Sequence, residues 1–118
     1  MGQYHKVYNL SKKQYIHAHR IDNGLKLLEQ IGHLKSTSTA LFLLLANSNN
    51  TPDGKSRRGG GDAQPHPLIG AWAGDRIVVQ GDYAEEGDPS FIPEEERETY
   101  TEISEQVLDM FKVALANY

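Results

Sequence analysis

The 118-residue chain carries 12 Lys/Arg against 16 Asp/Glu, a net charge of −4, with 38% hydrophobic and 24% charged residues and no cysteine. Its length supports one domain with a single modest core, and the lack of cysteine excludes disulfide and thiolate chemistry and suits a reducing cytoplasm. No apolar run approaches the roughly 18 residues of a membrane span, and MGQYHKVYNL lacks the apolar segment of a secretory signal.

Gln3–Leu10 alternates with the period of a strand: Tyr4, Lys6 and Tyr8 on one face, His5 and Val7 on the other. Leu10–Lys13 is a polar turn and Gln14–His19 a second strand, so the pair predicts a hairpin. Period two places Tyr15, His17 and His19 on one face of that strand. Asp22-Asn23-Gly24 then breaks the strand, and Leu25, Leu28 and Ile31 predict a short helix over Asn23–Ile31, stopped at Gly32. Ala40–Ala46 is continuously apolar. Its Leu and Ala favour helix, while its length and the sheet's need for a central strand favour β; a strand is expected over Thr39–Ala46. Ser48–Pro67 is a long loop rich in Gly, Pro, Asn and Ser, and loops of that length are usually functional or disordered.

Asp75–Gln80 reads as the central strand, its Ile77, Val78 and Val79 held between the turns Gly74-Asp75 and Gly81-Asp82. Glu86–Glu98 is a second loop. Thr99-x-x-Glu102 has the spacing of a capping box, and Ile103, Val107, Phe111 and Leu115 form the apolar stripe of a helix over Thr101–Ala116. The expected fold is a single α+β domain spanning 1–118, with long loops at 48–67 and 86–98. Its small, mostly antiparallel sheet has about four strands, and the short helix and the longer C-terminal helix pack on one face.

Several residue groups are candidates for chemistry. Arg57, Arg58, Gly59, Gly60, Gly61 and Asp62 can form an anion nest, in which converging backbone N–H groups and two guanidinium groups hold a phosphate; a solvated loop is the bland reading. The run lacks both the P-loop and the dinucleotide-fold spacing. His17 and His19 have the HxH spacing of metal ligands, but no partner motif completes a zinc set, so no metal or other cofactor is expected. With Tyr15 they read better as a stacking face. Trp72, Tyr83, Tyr4 and Tyr8 can stack on a base, although Trp72, abutting the strand, also reads as core. Arg76 adds positive charge. Asp75 and Asp82 lie seven residues apart, roughly 23 Å along a strand, too far for the joint carboxylate chemistry that acts within about 10 Å. They read as turn caps, with Asp82 retained as a ligand contact. Charge is divided unevenly: residues 1–81 hold ten Lys/Arg and five Asp/Glu, residues 82–118 two and eleven. The acidic part reads as a solvated face or as a surface for a basic partner. Nucleic acid is disfavoured by the negative net charge and the lack of a basic stripe.

The segments MGQYHKVYNLSKKQYIHAHR, GLKLLE, RRGGGD, GAWAGDRIVVQGDYAE and the helix start at Tyr100–Val107 resemble, in this order, a family of small phage- and prophage-encoded proteins. The resemblance covers all but Ser48–Lys55 and Gly87–Arg97. It implies a phage-linked origin and the cytoplasm of a bacterial host, and it assigns no activity and no catalytic residue. The leading expectation is a binding protein for a phosphorylated nucleotide, which in a phage setting would sequester a nucleotide signal of host immunity. The alternatives are an inhibitor that meets a host defence protein through its acidic face, and a small metal-dependent or acid/base phosphoesterase. A domain this small has little surface with which to enclose a nucleotide, so a homo-oligomer is expected.

Overall fold

A computed structural model describes residues 3–21, 34–47, 64 and 66–116. It is an α+β fold built on a four-stranded mixed sheet. Strands β1 (His5–Asn9) and β2 (Gln14–His17) form the expected hairpin, with Lys6 opposite His17, Tyr8 opposite Tyr15 and Asn9 opposite Gln14. The buried Asn9 side chain organises the turn: its oxygen accepts from the Lys12 N–H (2.8 Å), and its amide donates to Asp75 (2.8 Å). Strand β3 (Ile77–Gly81) runs antiparallel to β1, and β4 (Thr101–Glu102) runs parallel to β2, giving the order β3-β1-β2-β4.

Two expectations about the sheet are corrected. Residues 39–46 are not a strand: α2 (Thr37–Leu45) is helical, capped by Ser36, whose hydroxyl accepts from the Thr39 N–H. The cap and the Leu/Ala content outweigh the continuous apolar run, because a helix satisfies its own backbone wherever it is buried. The carbonyls of its last turn find donors outside it, Leu43 from Gly70 N–H and Leu44 from Trp72 N–H, both at 2.9 Å. Gly70 makes this approach with φ 81°, and a Cβ there would lie 2.7 Å from the Ala46 carbonyl oxygen. The strand 77–81 is also not central. It lies at the sheet edge, because β1, inside the hairpin, takes the middle.

A helical turn α1 (Ala18–Ile21) follows β2 directly, so the second strand ends at His17 and not at His19. The expected loop 86–98 contains a further turn, α3 (Glu94–Arg97). The capping box at Thr99 and Glu102 does not form. Thr99 donates to the Glu96 carbonyl, and Glu102 sits in β4, where the chain pairs with β2 before α4 (Ser104–Ala114) begins. Strand pairing has displaced the helix start by three residues. The helix predicted over Asn23–Ile31 and most of the loop at 48–67 lie outside the described residues.

Alternation along β1 and β2 divides the sheet into two faces. Val7 and Ile16 point into the main core with Ala40, Leu44, Ile69, Trp72, Val107, Met110 and Phe111. α4 presents Val107, Met110, Phe111 and Ala114 as one buried stripe. On the opposite face Tyr8 packs with Ile92 and Tyr100 in a smaller cluster, edged by Leu10 and Tyr15. Among the described residues no helix is long and apolar enough to cross a membrane.

Candidate functional site

The second face of the sheet is only half covered. Ile92 and Tyr100 close it over Tyr8; beyond them lies a cleft of about 260 Å³ lined by Tyr4, His5, Lys6, Tyr8, His17, Gln80, Gly81, Asp82 and Arg97. Strand register explains the set. His17, Lys6 and Gln80 are direct cross-strand neighbours in one row, and Tyr4 and Asp82 form the next: Asp82 N–H donates to the Tyr4 carbonyl, and Tyr4 N–H to Asp82 Oδ1 (3.0 Å). His5 stands opposite Gly81, which has no side chain. Arg97 comes from α3, whose chain is tied to the sheet by Gln80. The buried Gln80 amide accepts from Ile92 N–H (2.8 Å) and donates to the Ile92 carbonyl (3.1 Å).

The polar groups of this cleft are unusually short of partners. His5 Nδ1, His17 Nδ1 and Arg97 Nε are buried without a hydrogen-bond partner among the described residues. Such a group costs about 1–3 kcal/mol, and native proteins contain few of them; here His17 and Arg97 bring two to one cleft, while the His5 side chain alternates to the Val7 face. Lys6 and Arg97 also have no carboxylate partner among the described residues. Elsewhere Lys12 is engaged by Asp75, and Arg20 by Glu102 (2.8 Å) and Glu105 (2.9 Å). The Lys6 ammonium lies 5.7 Å from the centre of the Tyr15 ring, a cation–π contact that leaves its positive charge uncompensated.

The electrostatics match. Burial, and then the Lys6 charge, push the His17 imidazole below its ordinary value, against the opposing pull of Glu102. Burial raises the Tyr8 phenol, opposed by the Arg97 guanidinium beside it. Burial raises the Tyr15 phenol as well, helped by Glu102, to which its hydroxyl donates (3.3 Å). At neutral pH the cleft therefore sets the Lys6 and Arg97 charges beside a neutral His17 and a protonated Tyr8, with Asp82 at one end.

The sequence-derived candidates divide as follows. His17 and Asp82 line the cleft. Tyr15 lies on the same face but is stacked against Tyr8 at 5.8 Å, outside the lining. His19 is in α1; its ring is 6.2 Å from that of His17 and tilted by 47°, so the HxH pair does not share a strand face. Among the described residues no group of three or more His, Asp or Glu is placed to hold a metal. Trp72 is not available to a ligand. It is wholly buried (0% exposed), with its indole N–H on Gln14 (2.8 Å). Arg76 turns away to Ser90 (2.6 Å), and the exposed Tyr83 lines a separate groove with Phe91. Asp75 caps the hairpin turn; its bonds from Asn9 and Lys12 lower its carboxyl below the usual range. Arg57, Arg58, Gly59, Gly60, Gly61 and Asp62 lie outside the described residues. Lys6, Gln80, His5 and Arg97 escaped the sequence reading as site residues. The alternation that groups Lys6 with Tyr4 and Tyr8 was the available signal; nothing local marked Arg97, which reaches the cleft only through tertiary folding.

Comparison with protein-family models, with curated proteins and with solved structures returns no match.

Proposed function

We propose that this chain is a binding protein for a small phosphorylated ligand, with a nucleotide as the leading candidate, held in the Lys6–His17–Arg97 cleft. One observation carries the reading: among the described residues, two cations without carboxylate partners and the unpartnered buried atoms of His17 and Arg97 converge on one pocket. An anion there would offset the Lys6 and Arg97 charges and offer acceptors to the donors around them. Tyr4 and Tyr8 supply ring surface, and Asp82 stands where a ribose hydroxyl would find an acceptor. The volume falls just below the roughly 300–1,000 Å³ usual for small-molecule pockets, which favours a mononucleotide or smaller phosphate ester over a dinucleotide.

The resemblance to phage-encoded proteins supplies a setting, the sequestration of a host nucleotide signal in the bacterial cytoplasm. Binding without turnover is the simpler role, since a cleft with two cations unpaired among the described residues holds an anion as it stands. The test is a thermal-shift screen with inorganic phosphate and nucleoside mono- and diphosphates, followed by calorimetry. Lys6→Ala and Arg97→Ala should each weaken binding about ten- to a hundred-fold, since a charged hydrogen bond contributes about 1.5–3 kcal/mol. Wild-type affinity in both variants would remove the cleft from the site. Absence of any shift would favour the inhibitor reading, through the exposed carboxylates of Glu85, Glu86, Asp88 and Glu94–Glu96. Turnover abolished by EDTA would favour the phosphoesterase.

A further inference from the structure

We infer that the outer edge of β3 is a self-pairing surface, and that its occupant is the same edge of a second copy of this chain. The inference is independent of what the cleft binds. Arg76 accepts from Leu10 N–H, and Asp82 donates to the Tyr4 carbonyl, so the even-numbered residues of this strand turn their backbone groups toward β1. By the alternation of an antiparallel ladder, Ile77 and Val79 turn theirs outward. Neither has a hydrogen-bond partner on that side among the described residues, and Val79 is 45% exposed. A groove of about 270 Å³ beside this strand is lined by Val78, Val79 and Gly81 together with Tyr83, Pro89 and Phe91. Ile77–Gly81 contains none of the usual protections of a bare edge: no proline, no lysine, no charged residue at all.

Charge complementarity selects the occupant. In an antiparallel pairing of two copies about a two-fold axis at Val79, Val79 faces Val79, Val78 faces Gln80, and Ile77 faces Gly81. Arg76 of each copy then stands opposite Asp82 of the other. The Val79 pair is of the hydrogen-bonded type, each residue donating to and accepting from its counterpart. The two Arg76–Asp82 pairs are favourable cross-strand contacts; both residues are exposed in the single chain, where Arg76 uses Nη2 for Ser90 and keeps its other guanidinium N–H groups for Asp82. Asp82 uses Oδ1 for Tyr4, which leaves Oδ2 for the incoming guanidinium. The arrangement is isologous and closes after two copies. It yields one continuous eight-stranded sheet and brings Arg76 of the second copy to the Asp82 rim of each cleft.

Sedimentation equilibrium of the full chain, from micromolar to near-millimolar concentration, tests this. The wild type should be a dimer. Val79→Pro removes an outward N–H that β1 does not use, a substitution edge strands tolerate; it should raise the dimer dissociation constant on the order of ten- to a hundred-fold. Val79→Lys serves as the second variant, with far-ultraviolet circular dichroism showing that each folds. Arg76→Asp and Asp82→Arg should each be monomeric alone, because like charges then face each other, and should associate when mixed. A monomeric wild type at every concentration would overturn the proposal. So would a dimer that tolerates Val79→Lys but dissociates in Phe42→Ser, which would move the contact to the exposed apolar surface of α2. Calorimetric ligand binding is read separately, so failure of the dimer and failure of the ligand reading are distinguishable.

Discussion

The sheet face that carries Val7 and Ile16 is sealed by Trp72, Ile103, Val107, Met110 and Phe111, whereas the face that carries Lys6, Tyr8, Tyr15 and His17 is sealed only at its Tyr8 end, by Ile92 and Tyr100. The same two strands build both faces, residue by residue in alternation. On the first face the core side chains are mainly apolar, and the buried polar side chains of Asn9 and Trp72 are satisfied, Asn9 by Lys12 N–H and Asp75 and the tryptophan N–H by Gln14. On the second, hydrophobic closure stops halfway, and the uncovered half holds the atoms of His17 and Arg97 that have no partner among the described residues. A core made on one face frees the other to hold polar groups, such as His17 and Arg97, that are left unpartnered at a cost to stability. Stability and binding should therefore respond to different substitutions.

The largest effect should fall on the sealed face. Phe111, 2% exposed, lies within the α4 stripe; Phe111→Ala should cost about 3–5 kcal/mol in transfer and cavity terms, read as a lower denaturant midpoint. If the loss were under about 1 kcal/mol, α4 would not be the seal that the packing indicates. Gln80→Leu should come next. It strips both partners from the buried backbone of Ile92, at a cost on the order of 1–3 kcal/mol. Because Ile92 leads into the α3 turn that bears Arg97, the same variant should also weaken ligand binding. Lys6→Ala completes the contrast: stability within about 0.5 kcal/mol of wild type, with the loss appearing in affinity alone. A Lys6→Ala protein that melts as low as Gln80→Leu would break the division between the faces.

How much of this division was legible in the sequence depended on the range of the interaction. Alternation in Gln3–Leu10 and Gln14–His19 is local, so the hairpin and its two faces could be read directly as far as His17, where α1 ends the pattern, as could the stripe of the C-terminal helix. The run at Ala40–Ala46 could not be settled by pattern, because an apolar segment fits a buried strand or a buried helix equally; the Ser36 cap decided it. The Thr99 capping box failed because a two-residue strand pairing, Gln14 with Thr101 and Tyr15 with Glu102, competed for the same residues. The cleft was half visible. His17 and Asp82 were marked by their strand positions, while Lys6 resembled an ordinary solvated lysine until register placed it between His17 and Gln80. Arg97 lies in a run of glutamates, and only the Gln80–Ile92 tether explains why it turns back over the sheet.

The smallest expected effect is a titration at His17, and it sharpens the comparison because no group of the sealed face contributes to it. Burial and the Lys6 charge lower this imidazole from 6.5, with His19 and Arg20 acting in the same direction and Glu102 against. Between the lowered value and 6.5 the unfolded chain therefore holds more of this proton than the folded one. Unfolding takes up a proton in that window, and this site's contribution to stability rises with pH across it. A bound phosphate reverses part of the shift, since a dianion beside His17 favours the imidazolium. Affinity should then increase as pH falls through the same window, with proton uptake on binding. Two measurements check it: the His17 ring-proton shift followed by NMR with and without phosphate, and calorimetry in buffers of different ionisation enthalpy. A free-protein titration at or above 6.5 would mean that His17 is solvated and that the half-open face is simply surface. A lowered value that rises with phosphate in the wild type, but not in Lys6→Ala, would place the anion beside Lys6.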